Sequence, residues 1–215
     1  MGAPTTLFFD LDGTLIDSAE GITRSVSYAF EQLGHPVPSQ AELRGWIGPA
    51  LRTSFLPLLG DETRVEQAVA LYLERYSREG WTELSVYDGV AEMLDAVHGA
   101  GHRLAVVTAK NEDNARKILA GLPFGDRFDD VIGSSRDGRL THKVDLIAEA
   151  LRRFELSAEQ CLMIGDRRMD IEGAREHGMR NIGVLWGFGS EDELREAGAQ
   201  HLAAAPAQLP ALLAA

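Results

Sequence analysis

Two carboxylates stand two residues apart in Leu7-Phe8-Phe9-Asp10-Leu11-Asp12-Gly13-Thr14, after an apolar run and before a glycine. Three other apolar runs end on groups of related chemistry. Thr108-Ala109-Lys110 follows Leu104-Ala105-Val106-Val107, and Gly133-Ser134-Ser135 follows Val131-Ile132, with Lys143 a little later. Gly165-Asp166-Arg167-Arg168-Met169-Asp170 follows Leu162-Met163-Ile164. Carboxylates brought together and ionised repel one another and call for a cation. Oxygen ligands of this kind suit Mg²⁺, which keeps several waters and touches substrate phosphate. Lys143 offers a phosphate a point charge and Thr108 offers it a hydroxyl donor. The set implies Mg²⁺-assisted phosphoryl transfer. One of Asp10 and Asp12 attacks phosphorus. The other protonates the leaving alcohol and later takes a proton from water.

The elements that would carry these groups are legible around them. The four runs above and Ile182-Gly183-Val184-Leu185 read as short strands buried on both faces of a parallel sheet. Helical spacing lies between them, in Ala115, Ile118, Leu119 and Leu122, and in Leu146, Ile147, Ala150, Leu151 and Phe154. Strands alternating with helices predict an α/β fold, a doubly wound, Rossmann-like parallel sheet. In such sheets ligands bind beyond the carboxyl ends of the strands, where all the groups named above would fall. Between Ile16 and Leu84 no strand pattern occurs. Ile22, Val26, Ala29, Phe30 and Leu33 mark one helical face there, and Val65, Ala68, Val69, Tyr72 and Tyr76 another. The expected organisation is an α/β core from residues 1–15 and 85–215, with a helical-bundle insert at 16–84. Strand pattern is expected to resume only after Asp88-Gly89-Val90, and the tail from Ala203 to form a last turn and a short helix.

The 33 acidic and 21 basic residues give a net charge of −12, which argues against nucleic acid or an anionic membrane as partner. No stretch reaches the roughly 18 apolar residues of a membrane span, and no basic-then-apolar signal pattern opens the chain. The single cysteine, Cys161, lies in an apolar run and reads as a core thiol, so a reducing, cytoplasmic setting is expected. The six histidines show no metal-ligand spacing. Trp46 and Phe55 read as packing residues, and Glu191-Asp192-Glu193 as a solvated helix start.

Asp10-Leu11-Asp12-Gly13-Thr14, Thr108, Lys143 and Gly165-Asp166-x-x-x-Asp170 match, in order, the four motifs of the haloacid dehalogenase-like phosphatases, a resemblance that spans nearly the whole chain. It implies that Asp10 is the nucleophile and Asp12 the general acid/base. It also implies that Mg²⁺ is held by Asp10, the Asp12 backbone carbonyl and Asp166 with Asp170 nearby, that Thr108 and Lys143 bind the phosphoryl group, and that residues 16–84 are a cap. Gly13, Thr14, Ala109 and Lys110 are candidate substrate contacts, and Arg44 a candidate for an anionic end of the substrate. Leu43-Arg44-Gly45-Trp46-Ile47-Gly48-Pro49 resembles the cap segment of phosphoglycolate phosphatase-like proteins. Gly133-Ser134-Ser135-x-Asp137-Gly138-Arg139, and the stretch Gly183 to Ser190, resemble a bacterial 5′-nucleotidase-like branch. Ala109, where many phosphoglycolate phosphatases carry Asn, favours the second. The expected partner is a small phosphorylated metabolite acting on a monomer or dimer. A phosphomutase and a non-catalytic phospho-switch module are the alternatives.

Overall fold

The computed structural model describes residues 5–135, 137 and 139–214. β1 (Thr6–Phe9) leads into a two-residue strand, β2 (Ile16–Asp17), and then α1 (Ala19–Gln32), α2 (Gln40–Arg44), α3 (Leu51–Leu59) and α4 (Glu62–Arg78). The chain returns through β3 (Ser85–Val86) to alternate helices and strands. These are α5 (Val90–Gly99), β4 (Arg103–Asn111), α6 (Glu112–Ala120), β5 (Asp130–Ser134), α7 (Lys143–Phe154), β6 (Cys161–Gly165), α8 (Arg168–Glu176), β7 (Arg180–Val184), α9 (Glu191–Ala197), β8 (His201–Ala203) and α10 (Leu209–Ala214). Six strands form one parallel sheet in the order β5-β4-β1-β6-β7-β8.

The sheet is buried on both faces because the middle positions of its strands are apolar on both sides. Alternate side chains of a strand point to opposite faces. Leu7 and Phe9 accordingly join Val106 and Ile164 in one cluster, with α5 and α6. Phe8 joins Val107, Met163 and the α7 residues Leu146 and Ile147 in the other. Cys161 is buried in that second cluster, as a core thiol, and burial pushes it up to about 11. Phe9 pairs with Val106 on one side and Ile164 on the other, so the residues that follow these three lie level, although β4 itself runs on to Asn111. That register brings Asp10, Thr108 and Asp166 to one rim.

The helices of the segment 16–84 have local causes. Ser39 and Glu42 form a reciprocal capping box at α2, and the Asp61 side chain accepts from Arg64 N at 2.9 Å at the start of α4. The apolar faces of α1, α3 and α4 meet each other in Phe30, Phe55, Val69 and Tyr76 and are continuous with the core below them.

Three expectations change. The segment beginning at Ile16 starts with a strand: Ile16 and Asp17 pair antiparallel with Val86 and Ser85. Strand structure therefore resumes before Asp88, and Val90 opens a helix instead. β8 is an edge strand just ahead of the expected tail helix, pairing Ala203 with Val184. Strands of two and three residues show no period that a sequence pattern could reveal. Among the described residues, no helix is long and apolar enough to cross a membrane.

Candidate active site

The site is built where β1 ends. Asp10 N continues the ladder to Ile164 O at 2.9 Å. The chain then folds back on itself, with Leu15 N and Ile16 N both donating to Leu11 O. Gly13 sits at φ +88°, a left-handed conformation that side chains disfavour. A Cβ there would also lie 2.2 Å from Asp166 Oδ2. The glycine thus serves both the turn and the close approach, and the loop leaves Asp10 and Asp12 at the rim.

Lys143, the first residue of α7, is buried beneath Asp10. Its Nζ donates to Asp10 Oδ1 at 2.8 Å and to Val107 O at 2.8 Å, and lies 2.7 Å from Asp170 Oδ1. Two of these contacts are hydrogen bonds, and Asp170 Oδ1 is held by charge without one. Burial works against its charge, but Asp10 and Asp170 outweigh that and hold Lys143 above the ordinary lysine range. Asp170 Oδ2 accepts from Arg167 N at 3.1 Å, whereas its buried Oδ1 has the Lys143 ion pair but no hydrogen bond. Asp166 is fully buried. It accepts from Thr14 Oγ1 at 3.1 Å and from Phe188 N at 2.8 Å, and no cation pairs with it among the described residues.

Asp10, Asp166 and Asp170 each place a carboxylate oxygen within 4.8 Å of the others. Burial pushes Asp10 up to about 6, Lys143 pulling against it and Asp170 adding to it. Burial, then Asp10 and Asp170, hold Asp166 well above the usual carboxylate range. Three buried carboxylates share one buried ammonium, which leaves the cluster short of positive charge. The donor set, all oxygen, fits a hard divalent cation.

A stability consequence follows. A carboxyl whose folded pKa is raised stabilises the fold below its unfolded value, and the contribution is lost as pH rises through the folded value. For Asp10 that window runs from 3.8 to about 6, and Asp166 acts in the same direction. Added Mg²⁺ is expected to raise the unfolding midpoint more at about pH 8 than at about pH 5, because only the ionised cluster calls for it. Thermal melts with and without Mg²⁺ at the two pH values check this. An equal rise at both would mean that the cluster is not where the ion acts.

Above the carboxylates lies a cavity of about 270 Å³. Asp10, Asp12, Thr108, Ala109 and Lys110 line its floor, and Trp46, Leu51, Val69, Tyr72, Leu73 and Tyr76 its apolar wall. Not every expected site residue faces it. Gly13 and Thr14 pack around Asp166 instead, and Arg44 is exposed in a separate depression beside Asp17, Glu20 and Glu83. Arg52 reaches the cavity but is bound by Glu66 at 2.6 and 2.9 Å. His142 borders the cavity while its neighbour Lys143 lies underneath. Trp46 does pack edge-on against Phe55, with ring centroids 5.6 Å apart, and also lines the cavity.

Lys110 is the largest surprise. Its side chain is only 5 % exposed, its Nζ grips both oxygens of Asp12 at 2.9 and 2.7 Å, and Ser18 Oγ donates to Asp12 Oδ1 at 2.5 Å. Sequence reasoning missed Ser18 and also the Phe188 amide on Asp166. Gly187 and Gly189 were the available signal for the latter, since a Cβ at either would come within 2.5 Å of Asp166. Glu193, expected to be solvated, instead accepts from Arg167 Nε and Arg168 N, both at 2.9 Å. Arg167 in turn donates to Ile47 O, tying the rim to the loop ahead of α3.

Residues 7–184 match a family profile described as haloacid dehalogenase-like hydrolase. A 5′-nucleotidase of Pseudomonas aeruginosa is 48% identical over 190 residues, covering 88% of this chain and 86% of that protein. The tyrosine-protein kinase PtkA of Mycobacterium tuberculosis is 38% identical over 88% of this chain, which spans 65% of PtkA. Among solved structures, a predicted phosphatase from Clostridium acetobutylicum superposes with a TM-score of 0.94 at 36% identity, covering 99% of both chains.

Proposed function

The chain belongs to the haloacid dehalogenase-like hydrolase family and is a phosphatase, and on that premise we propose that it hydrolyses small phosphomonoesters through an aspartyl-phosphate on Asp10. Asp10 attacks phosphorus while the bond from phosphorus to the ester oxygen breaks, and Asp12 delivers its proton to the leaving alkoxide. Water then attacks the phosphoaspartate and gives a proton to Asp12, the bond from phosphorus to Asp10 breaks, and phosphate leaves. Thr108 and Lys143 hold the phosphoryl oxygens. Asp10, Asp166 and the Asp12 backbone carbonyl, with Asp170 behind them, would hold Mg²⁺, which when bound offsets charge on the transferring group. Residues 16–84 act as the cap that covers the site and excludes water from it.

The leaving group is best read as uncharged and ring-bearing, which favours a 5′-nucleotidase-like activity over phosphoglycolate. One observation carries this. The described lysine and arginine side chains that line the cavity are already neutralised, Lys110 by Asp12 and Arg52 by Glu66. A glycolate carboxylate seated against Trp46, Leu51 and Val69 would lose its water and find no cation. A nucleoside presents a flat, neutral body to the same wall.

Phosphate release in Mg²⁺ from AMP, GMP, UMP, phosphoglycolate and a glucose phosphate tests the reading. The nucleotides are expected to exceed phosphoglycolate in kcat/KM by roughly tenfold or more, the cost of an unpaired buried charge. Preference for phosphoglycolate would overturn it, and conversion of the sugar phosphate to an isomer without phosphate release would make the enzyme a mutase. Asp12→Ala is expected to form phosphoenzyme but turn over roughly a hundredfold more slowly, within the span of general acid–base catalysis. Rapid-quench detection of the acyl phosphate checks this, and wild-type turnover in that variant would remove Asp12 from the chemistry.

A further inference from the structure

The acid/base carboxylate of this site is held by a cation whose own position depends on a distant helix. Lys110 lies two residues beyond Thr108 on β4, where the pairing with β5 slips register between Val107 and Asn111, and both residues line the cavity. Its long stem has four freely rotating bonds, and an ammonium at the edge of a cavity would ordinarily turn into water. Here it does not. The ring of Tyr76, from the last turns of α4, lies over it with Nζ 4.6 Å from the centroid, and on the other side Asp12 accepts from it with both oxygens. Tyr76 is itself 1 % exposed and stacks on Tyr72 at 5.4 Å, which fixes its plane. The ammonium is sandwiched between a carboxylate of the sheet rim and a π face of the helical segment.

We propose that Lys110 is a positioning residue for Asp12, and that Tyr76 sets Lys110 in place, so that the acid/base carboxylate is aimed only while α4 is seated over the site. The proposal rests on the acid/base reading of Asp12 given above. Geometry supports it in two ways. Ser18 reaches only one oxygen of Asp12, so among the described residues only Lys110 donates to the second oxygen and fixes the carboxylate plane. Tyr76 offers Lys110 a face and no charge, so it can restrain the ammonium without competing with Asp12 for it. The π face therefore steers a contact that it does not itself make.

The test separates aiming Asp12 from binding phosphate. A phosphate ester with a good leaving group, such as p-nitrophenyl phosphate, needs little proton donation, whereas a nucleoside monophosphate needs a great deal. Lys110→Met is expected to lower kcat for AMP by roughly 10–100-fold with KM changed little, and to affect p-nitrophenyl phosphate far less. Tyr76→Leu is expected to lower kcat for AMP by roughly 3–30-fold with the same dependence on leaving group. The double variant should be no slower than Lys110→Met alone, since both substitutions remove one coupled device. Tyr76→Phe keeps the ring and should recover most of the loss seen in Tyr76→Leu. Lys110→Arg, which keeps the charge, serves in the same assay if Lys110→Met does not fold.

A rise in KM that is equal for both esters would make Lys110 a phosphoryl contact and overturn the proposal. Additive losses in the double variant would overturn the part played by Tyr76. The parent reading fails separately: if Asp12→Ala itself shows no dependence on leaving group, Asp12 is not the acid, whatever Lys110 does.

Discussion

Asp10→Asn is expected to fold and not to turn over. On the proposed mechanism the amide keeps the shape of the carboxyl and removes its nucleophilic oxygen, so kcat should fall roughly a thousandfold or more. The fold should not suffer. Asp10 is buried beside two further carboxylates, and burial holds its pKa near 6, above the ordinary aspartate value. A neutral side chain there relieves like-charge repulsion, and Lys143 keeps Val107 O and Asp170 as partners. At about pH 8 the variant is therefore expected to melt at or above the wild-type temperature. Phosphate release and a thermal melt on the same preparation decide the matter. A variant that retains a tenth of wild-type turnover would remove Asp10 from the nucleophile's place.

Lys143→Met is expected to damage both stability and activity. Lys143 is 4 % exposed, and its ammonium is the cation shared by Asp10 and Asp170. Removing one partner of a buried ion pair costs about 3–5 kcal/mol, because the other partner is left charged and dry. For a chain of this size that corresponds to a fall in melting temperature of about 10 °C or more. The loss has a definite pH dependence. Lys143 pulls the Asp10 pKa down, so without it Asp10 holds its proton to still higher pH. The variant should therefore lose less relative to wild type at about pH 5, where Asp10 can be neutral, than at about pH 8. Melts at the two pH values measure the difference, and an unchanged midpoint at the higher one would mean that the buried pair contributes nothing.

How much of this was legible in the residues can be judged piece by piece. Asp10, Thr108 and Asp166 each follow an apolar run, and a run that gives way to polar groups marks where a strand leaves the core; the sheet order then brings the three places together, although β4 continues past Thr108 to Asn111. Lys143 was legible only through its place in an ordered set, since nothing in its neighbours predicts that it lies under Asp10. Lys110 shows the limit of local pattern. Its role depends on Tyr76, which approaches through the tertiary fold, and no spacing along the chain relates the two. Arg44 shows the opposite failure: a cation in the right segment, carried on the last residue of α2 to a different depression. β2, β3 and β8 are defined by their partners across the ladder and not by their own two or three residues.

The glycines around Asp166 bear on how such a chain can change over generations. Gly13, Gly187 and Gly189 close in on one carboxylate so tightly that any added carbon collides with it or with its backbone, so these positions are frozen together with Asp166. The cavity wall obeys a looser rule. Trp46, Leu51, Val69 and Leu73 belong to the segment between β2 and β3, and an apolar wall tolerates exchange of one apolar side chain for another of similar volume. On the proposed mechanism the carboxylates and the wall that meets the alcohol are written in separate stretches of the chain, and Tyr76 is the point at which a change in the wall reaches the acid/base carboxylate.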